Sequence, residues 1–481
     1  MAPLCGSARS CDRGRAPLTC LLIAAVGLRL ALAGLAFSTT RSTSSFEMSD
    51  TPSYVVPATA LAREAKFSAW GRPELFRPPG FPLLLVPGIA SGHLHAFTIT
   101  LNALLAAATA LLVWHTAFSL GAGRRGAFLA AALVALEPQG IIYSCFLLSE
   151  TLAAFAVALA TYLLVRYHNE PSSGRIALAA VAVAGCAYVR FIAYFLPLWI
   201  GLVLLFFPPR ALSSRRRRQA ELALFVLLSL CCLGLWHLRN GVATGVFVFS
   251  TQLDRALYLG LGAKAMSNAQ GEPYDVSKQR LLGELGPNDN PSGAPPVTLE
   301  VMRRRGLALV FHNPAPVVAQ LVLNPFIVLL DPGIAGPRVL FGAPPPGLSG
   351  AVADGAGRAL FAGLSGLGLG WLVVMAVLGI AGLVVLALGA LGTRQLARSS
   401  PSAAALLLGI VAYFSLVSGA SASVTSRFRV PIQPVLAVLA AFAAARRNGC
   451  SVVGTAAHDP AGDPVESASS PRTSPKATSR A

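Results

Sequence analysis

An acidic residue and several arginines directly follow the first long apolar run of the chain. Asp50 lies in the segment Ser49 to Leu85, which also contains Arg77. A carboxylate can take up a proton, and a guanidinium is favoured wherever phosphate is bound bidentately. Both residues also have structural roles open to them. Asp50 precedes Thr51 and Pro52 and can therefore cap a helix, while Arg77 can simply flank the next apolar segment.

Local spacing predicts how this segment is arranged. Asp50, Tyr54, Ala58 and Leu61 recur every three to four residues, which places an aromatic and two small or apolar side chains on one helix face with the acid. We therefore expect a short helix that lies in the membrane interface. The two prolines after Arg77 remove N–H donors and favour extended geometry, so they should hold this arginine in a stiff turn.

The composition is that of a polytopic membrane protein. The chain has 481 residues, of which 54% are hydrophobic and only 12% are charged, and its mean hydropathy is +0.64. So much apolar surface cannot be buried in one soluble core. The net charge is +18, but the basic residues form short clusters between apolar runs rather than one amphipathic face. This pattern excludes nucleic-acid binding and indicates membrane topology.

About ten crossings are predicted from runs that approach the roughly 20 apolar residues of a membrane-spanning helix. They are Ala16–Phe37, Ala96–Leu120, Gly126–Ile142, Leu147–Val165, Ile176–Val189, Ile192–Phe207, Ala220–Trp236, Ala359–Leu391, Ala403–Val417 and Pro431–Ala445. Two further apolar segments, Phe81–Ile89 and Pro316–Leu330, are short or broken by proline and are predicted to be re-entrant or interfacial. Whether Pro316–Leu330 crosses the membrane is left open.

The distribution of basic residues predicts the orientation, because lysine and arginine of short loops stay on the cytoplasmic side. With an even number of spans, both termini are cytoplasmic in a bacterial inner (plasma) membrane. Residues 1–15 then form a cytoplasmic N-terminus and residues 16–445 the membrane domain. Residues 38–82 and 237–358 face the opposite compartment, and the Ser/Pro/Ala-rich residues 446–481 are predicted to be a disordered cytoplasmic tail.

The first span is predicted to be retained in the protein. Its basic start is also typical of a signal peptide, but the apolar run Ala16–Phe37 exceeds the roughly 7–15 residues of a signal peptide's apolar region. Arg29 lies near the middle of this span, where an isolated charge is unfavourable by about 2.5–3.5 kcal/mol. We expect it to form a structural ion pair with Glu137 of the third span.

Several stretches resemble the bacterial family 39 glycosyltransferases, relatives of the protein O-mannosyltransferases and of the aminoarabinose transferase of lipid A. The first-loop pattern comprises Asp50, Tyr54 and Ala58 at intervals of four, then Lys66-Phe67, then the sequence from Arg77 to Leu83. Later stretches agree in order: Leu148–Glu150, Tyr188–Arg190, Trp236–Asn240 and Arg427–Pro431. One departure is Ala65, which stands where the family usually has a glycine in the local turn.

The resemblance implies a GT-C fold, an all-α membrane bundle with extracytoplasmic loops and interfacial helices. Such proteins transfer a sugar from a polyprenyl-phosphate donor to an extracytoplasmic acceptor, which could be a protein, a glycolipid or a wall polymer, with inversion at the anomeric carbon. By resemblance Asp50 occupies the position of the family's first-loop catalytic acid, and we expect it to be the base; Glu47, the nearest substitute, and Glu150, which could bind acceptor or a cation, are the supporting acid candidates. The donor phosphate would be bound by Arg77, Arg190, Arg239, Arg427 and Arg429, and the loop would be shaped by Tyr54, Pro78, Pro79 and Gly80.

No cofactor is required by the sequence, although the oxygens of Asp50 and Glu150 would suit Mg²⁺ or Mn²⁺. The expected partners are membrane lipids, the lipid-linked donor and the acceptor, and not nucleic acid. A transporter or flippase of lipid-linked sugars is the alternative, since it would also present arginines to a phosphate. A noncatalytic scaffold with the same fold is the third hypothesis.

Overall fold

The computed structural model describes residues 15–212, 214–285, 296–343, 367–420 and 425–444. Across these residues the chain is a bundle of helices, with one two-stranded antiparallel ribbon in the first loop. The all-α polytopic fold expected from the sequence is therefore confirmed. The predicted disordered tail and residues 1–14 lie outside the described residues.

The first half of the chain contains the first loop between two long apolar helices. Its helices and strands are α1 Arg15–Thr40, α2 Thr51–Glu64, β1 Ser68–Ala69, β2 Arg72–Pro73, α3 Gly80–Ala90, α4 Leu94–Ser119, α5 Gly123–Ala135, α6 Pro138–Ser144, α7 Glu150–Asn169, α8 Ser173–Val189 and α9 Leu196–Phe206. Short 3-10 helices lie at Thr43–Phe46 and Phe191–Ala193.

The second half begins with a 30-residue helix in which four arginines precede an apolar stretch. It ends with a helix that is buried along its whole length. Its helices are α10 Arg215–Thr244, α11 Gln252–Arg255, α12 Ala263–Gln270, α13 Tyr274–Leu285, α14 Pro296–His312, α15 Pro314–Leu330, α16 Ala335–Leu340, α17 Leu369–Ser399, α18 Pro401–Gly419 and α19 Gln433–Ala441. A π-helix, Ala256–Gly262, joins α11 to α12, and the 3-10 helix Ser426–Ile432 leads into α19.

Among the residues that the structure describes, seven helices are long and apolar enough to cross a membrane, or up to nine if each bent pair counts as one span. Each of the ten predicted spans contains a helix among its described residues, and residues 359–366 of the eighth span lie outside these residues. Some of these helices are shorter than a full membrane span. The fifth and sixth predicted spans are the shorter apolar helices Ser173–Val189 and Phe191–Phe206. Conversely, Thr298–His312 and Pro314–Leu330 together are long and apolar enough to cross a membrane, but they meet at 94°, which fits a broken or re-entrant segment.

The third predicted span is broken rather than continuous. Helices α5 and α6 meet at 46°, next to Pro138, which cannot donate to the preceding turn. Glu137 caps α6 by accepting from the backbone N–H of Gly140. Arg29 donates from Nη1 to the carbonyl oxygen of Ala135 over 2.9 Å, so the buried cation satisfies a carbonyl that the break leaves open. Arg29 and Glu137 also line one small cavity of about 30 Å³.

The first loop folds back onto the bundle. The predicted interfacial helix is α2, and it ends at Ala65, which takes the left-handed conformation with φ 54°. This is the position where the family usually has glycine, and glycine adopts such a φ without strain. The chain then forms the β1–β2 ribbon and enters α3 through the sequence from Arg77 to Pro79. Asp50 and Arg77 are thus brought to the same end of α2.

A group of helices between α10 and α15 forms a small unit with its own core, which we call the cap. It consists of α11, the π-helix, α12, α13 and α14. Its buried side chains are Tyr258, Leu259, Ala263, Tyr274, Leu281 and Met302. Residues 286–295, between α13 and α14, lie outside the described residues.

Candidate active site

Asp50 is held between two guanidinium groups. It precedes α2, but its side chain makes no capping hydrogen bond. Instead Oδ1 lies 2.9 Å from Arg77 Nη2, and Oδ2 lies 2.7 Å from Arg427 Nη2. Burial alone would raise the pKa of this carboxyl, but the charges of Arg77, Arg427 and Arg190 outweigh it and hold the pKa below its usual range. Asp50 is therefore ionised when no ligand is present.

The predicted stiff turn fixes Arg77 at this site. Glu74 Oε1 accepts from the backbone N–H groups of Phe76 and Arg77, at 2.5 and 2.8 Å. The Arg77 side chain donates from Nε to Ser53 Oγ over 2.8 Å, and its Cζ lies 4.3 Å from the Tyr54 ring centroid. Contacts on both the backbone and the side chain therefore orient the guanidinium towards Asp50.

The residues expected to shape the loop attach it to the ends of two bundle helices. The Tyr54 hydroxyl lies 3.0 Å from Ser149 Oγ, just before α7. Pro78 and Pro79 are buried. A Cβ added to Gly80 would lie 2.7 Å from the carbonyl oxygen of Tyr188 near the end of α8, so only glycine allows this close approach.

A second carboxylate lies behind Arg427. Glu150 is the first residue of α7, and its side chain has 0% exposure. Its Oε1 accepts from Arg190 Nη1 over 2.5 Å and from Arg427 Nε. Arg427 thus bridges Glu150 and Asp50, and Arg190 follows directly after α8. Three guanidinium groups and two carboxylates from separate segments form one cluster with a net charge of +1.

The other predicted site residues make their contacts elsewhere. Glu47 lies 2.9 Å from His95 Nε2. Arg239 donates to the carbonyl oxygens of Glu74 and Phe67 and stacks on Trp236. It therefore connects two backbone positions of the first loop. Arg429 is buried and donates from Nη1 to the carbonyl oxygen of Leu329 over 2.5 Å.

A cavity of about 1200 Å³ opens beside Asp50. One wall carries the charged cluster through Asp50, Arg77, Arg190 and Arg427. A second wall is the apolar face of α15, with Leu323, Phe326, Ile327 and Leu330, and the cap supplies Gln252, Leu253, Ala256 and Lys278. The cavity therefore joins a site for an anion to a surface for an apolar chain.

Sequence reasoning missed several residues of this cavity, among them Tyr143, Gln252, Lys278 and Asp331. They lie in segments without a recurring pattern, and only the packing of the chain brings them to the cavity. Asp331 accepts from the backbone N–H groups of Gly333 and Ser426, at 3.0 and 2.5 Å. It orders the segment that precedes Arg427.

Within the described part of the chain, no three His, Cys, Asp or Glu side chains are grouped to hold a metal ion. The two acids considered for this role, Asp50 and Glu150, are separated by the Arg427 guanidinium, which contacts both. A cation bound between them would have to displace that group. The donor set present is therefore one for an anion and not for a divalent cation.

Residues 96–215 match the family model of dolichyl-phosphate-mannose-protein mannosyltransferases. The matched stretch runs from α4 to the start of α10 and contains Glu150 and Arg190 of the charged cluster. It confirms, for this part of the chain, the family resemblance noted in the sequence. A search of curated proteins finds no significant match.

Solved structures matched by the chain include two oligosaccharyltransferase complexes from Archaeoglobus fulgidus and ArnT from Cupriavidus metallidurans. One is the Archaeoglobus fulgidus oligosaccharyltransferase AglB in complex with an inhibitory peptide and a dolichol-phosphate, with a TM-score of 0.49 at 14% identity. The match covers 91% of this chain and 50% of the AglB chain. An Archaeoglobus fulgidus oligosaccharyltransferase in complex with zinc and sulfate has a TM-score of 0.46 at 16% identity, and the match covers 88% of this chain and 48% of that one. ArnT from Cupriavidus metallidurans, bound to undecaprenyl phosphate, has a TM-score of 0.34 at 14% identity, and the match covers 86% of this chain and 77% of the ArnT chain. The chain spans about half the length of the oligosaccharyltransferases it matches.

Proposed function

We propose that the protein is an integral membrane glycosyltransferase of the GT-C type. It transfers a single sugar from a polyprenyl-phosphate donor to an extracytoplasmic acceptor. The observation that carries this proposal is Asp50, held between Arg77 and Arg427 on a cavity whose adjoining wall is apolar. The match of residues 96–215 to a family of lipid-phosphate-dependent mannosyltransferases supports it.

The donor fits the cavity in one orientation, with its phosphate at the arginines and its prenyl chain along α15. Its phosphate meets the guanidinium groups of Arg77, Arg190 and Arg427, because charge-assisted hydrogen bonds to arginine are among the strongest available to a phosphate oxygen. Its prenyl chain extends along the α15 face formed by Leu323, Phe326, Ile327 and Leu330. The net charge of +1 on the cluster balances the single negative charge of a sugar phosphodiester.

Transfer then follows with its charges balanced. The acceptor hydroxyl oxygen attacks the anomeric carbon, the bond from that carbon to the phosphate oxygen breaks, and the phosphate leaves with the electron pair. The hydroxyl proton passes to Asp50. Loss of the Asp50 charge gives the cluster one further positive charge as the polyprenyl phosphate becomes a monoester of about −1.5 to −2. Attack opposite the leaving phosphate inverts the anomeric carbon.

The donor also activates the base. In the donor-free protein each Asp50 oxygen contacts an arginine, and the lowered pKa of its carboxyl makes it a weak proton acceptor. A bound phosphate competes for Arg77 and Arg427, so the pKa of Asp50 rises and an oxygen becomes available to the acceptor. The acid therefore acts as a base after the donor has bound.

The membrane arrangement follows the topology predicted from the charges. The chain is a multi-pass membrane protein, and we place both termini in the cytoplasm of a bacterial cell. The first loop and residues 237–358 then lie outside the cytoplasm, where a protein, glycolipid or wall polymer is the acceptor. No step runs through Mg²⁺ or Mn²⁺, because Arg427 lies between the two carboxylates that would bind it.

Donor turnover by the purified protein tests this function. Radiolabelled polyprenyl-phosphate mannose in liposomes should release polyprenyl phosphate or transfer its label. Asp50→Asn should lower the rate by about 10²–10⁴-fold, the usual contribution of a general base, while donor binding persists. Glu47→Gln is the matched control, because Glu47 contacts His95 on the same loop, and it should retain turnover.

The alternatives give different results in the same assay. A transporter or flippase moves intact donor across the liposome bilayer without releasing polyprenyl phosphate. A scaffold binds donor without turnover in the wild-type protein. Full turnover in Asp50→Asn together with its loss in Glu47→Gln would assign the base to Glu47.

A further inference from the structure

The cap is tied directly to the turn that carries Arg77. Gln252 donates from Nε2, and Ser250 from Oγ, to the carbonyl oxygen of Phe76, at 2.8 and 2.6 Å. The N–H of Thr251 donates to the carbonyl oxygen of Leu75 over 3.0 Å. The cap wall of the cavity is therefore held in a fixed position relative to the charged cluster.

Three close ion pairs join acids and arginines of the cap. Asp254 lies 3.0 Å from Arg303, Glu284 lies 2.9 Å from Arg305, and Glu272 lies 2.8 Å from Arg280. Glu284 also accepts from the Tyr258 hydroxyl, and Glu272 accepts from Ser277. The acids of these pairs are thus engaged by other groups of the cap.

Lys278 differs from these arginines. Its ammonium nitrogen lies 6.0 Å from the centroid of the Tyr274 ring, and no ion pair joins it to an acid of the described residues. It lines the same cavity as Asp50 but on the wall supplied by the cap. The cavity thus has a second cationic centre, separate from the arginine cluster.

We propose that Lys278 binds an anionic group of the acceptor, and that the acceptor of this glycosyltransferase is a phosphate- or carboxylate-bearing envelope molecule. This inference rests on the proposed function. The donor has one phosphate, which the net charge of the arginine cluster already balances. The acceptor hydroxyl must reach Asp50, so the rest of the acceptor extends across the cavity to the cap wall. An ammonium on that wall selects an acceptor with a negative charge near its hydroxyl.

Labelled donor and fractionated acceptors test this directly. Membranes of the source organism are extracted, and the extract is separated by anion exchange into retained and unretained fractions. Each fraction is then incubated with the full-length protein and radiolabelled polyprenyl-phosphate mannose. We expect the label in the retained fraction. Cold hydrofluoric acid, which cleaves phosphoesters, and carbodiimide amidation, which blocks carboxylates, distinguish the two sources of charge, because only one treatment should remove acceptor activity.

Substitutions at Lys278 test whether this residue recognises the negative charge of the acceptor. Lys278→Met should raise the acceptor KM about 10-fold or more, as expected for a lost hydrogen bond to a charged group. The KM for donor and the rate of donor hydrolysis without acceptor should not change. Lys278→Arg should retain most of the acceptor affinity. Arg304→Met removes an 81%-exposed charge from the same cap, and it should have no effect.

Three results would overturn the proposal: label mainly in the unretained fraction, an acceptor that survives both chemical treatments, or an unchanged acceptor KM in Lys278→Met. A raised KM for the donor in that variant would also overturn it, because it would assign Lys278 to the donor phosphate. Failure of the proposed function is distinct, since the wild-type protein would then neither hydrolyse the donor nor transfer its label.

Discussion

Arg427 contacts both carboxylates of the cluster, so its replacement has two separable effects. Its pair with Asp50 is partly exposed, since the Asp50 side chain is 37% accessible, and such a pair stabilises by about 1 kcal/mol or less. Its pair with Glu150 is buried, and removing one partner of a buried pair destabilises by about 3–5 kcal/mol. Arg190 still contacts Glu150 Oε1 over 2.5 Å, so we expect about 3 kcal/mol for Arg427→Met.

A double-mutant cycle separates the buried charge from general damage to the fold. Arg427→Met leaves Glu150 undercompensated, and adding Glu150→Gln removes that charge. The double variant should therefore regain about 1–2 kcal/mol of the lost stability, within the range measured for contacting residues. Thermal unfolding in a single detergent, followed by intrinsic fluorescence, gives the comparison for the wild type, both single variants and the double variant.

Turnover and melting temperature should respond differently across the variants of the double-mutant cycle. In the proposed transfer Arg427 also faces the developing charge of the leaving phosphate, and loss of one such donor lowers kcat by about 10²–10³-fold. The double variant should recover its melting temperature but not its turnover. Arg427→Lys keeps the charge without the planar fork that reaches two acids, so its turnover should be intermediate. A double variant that melts below Arg427→Met would refute the assignment of Arg427 as the counterion of Glu150.

Two further predictions concern the first loop. Gly80→Ala should lower the melting temperature by the equivalent of about 1–3 kcal/mol and reduce donor turnover, because its Cβ would lie 2.7 Å from the carbonyl oxygen of Tyr188. Gly185→Ala is the control, because it lies on α8, the helix of Tyr188, with open space around the added Cβ. The lowered pKa of Asp50 should keep kcat/KM independent of this group down to below about pH 4, the ordinary Asp value. Arg77→Met should move the acid limb of kcat/KM to higher pH, because it removes a cation that favours the ionised base; an unmoved limb would contradict this.

Local features of the first loop could be predicted from the sequence. The spacing from Asp50 to Leu61 predicts α2, and the prolines after Arg77 predict the turn in which it is held. The sequence could not tell whether Asp50 caps the helix or faces a ligand, since both uses suit the same position. The backbone at Asp50, with φ −83° and ψ −18°, lacks the extended geometry typical of a capping residue. The side chain therefore turns to the arginines.

The partners of Asp50 could not be predicted, because they depend on packing over long distances in the chain. Arg427 and Glu150 are 277 residues apart, and no periodicity relates them. Arg427 and Arg429 read alike in the sequence, since both follow the same short loop. In a 3-10 helix of about three residues per turn, positions i and i+2 point to different sides. Arg427 thus meets Asp50, whereas Arg429 meets the carbonyl oxygen of Leu329 at the end of α15.

The difference in burial between the two acids argues for Asp50 as the base. Glu150 has 0% side-chain exposure, and its Oε1 is engaged by two arginines. An acceptor hydroxyl cannot reach it without displacing Arg427. Asp50 lines the cavity with 37% of its side chain accessible, and its guanidinium partners are the groups that a donor phosphate would attract. In the mechanism that we propose, Glu150 is the fixed counterion that positions Arg190 and Arg427, and the proton moves only at Asp50.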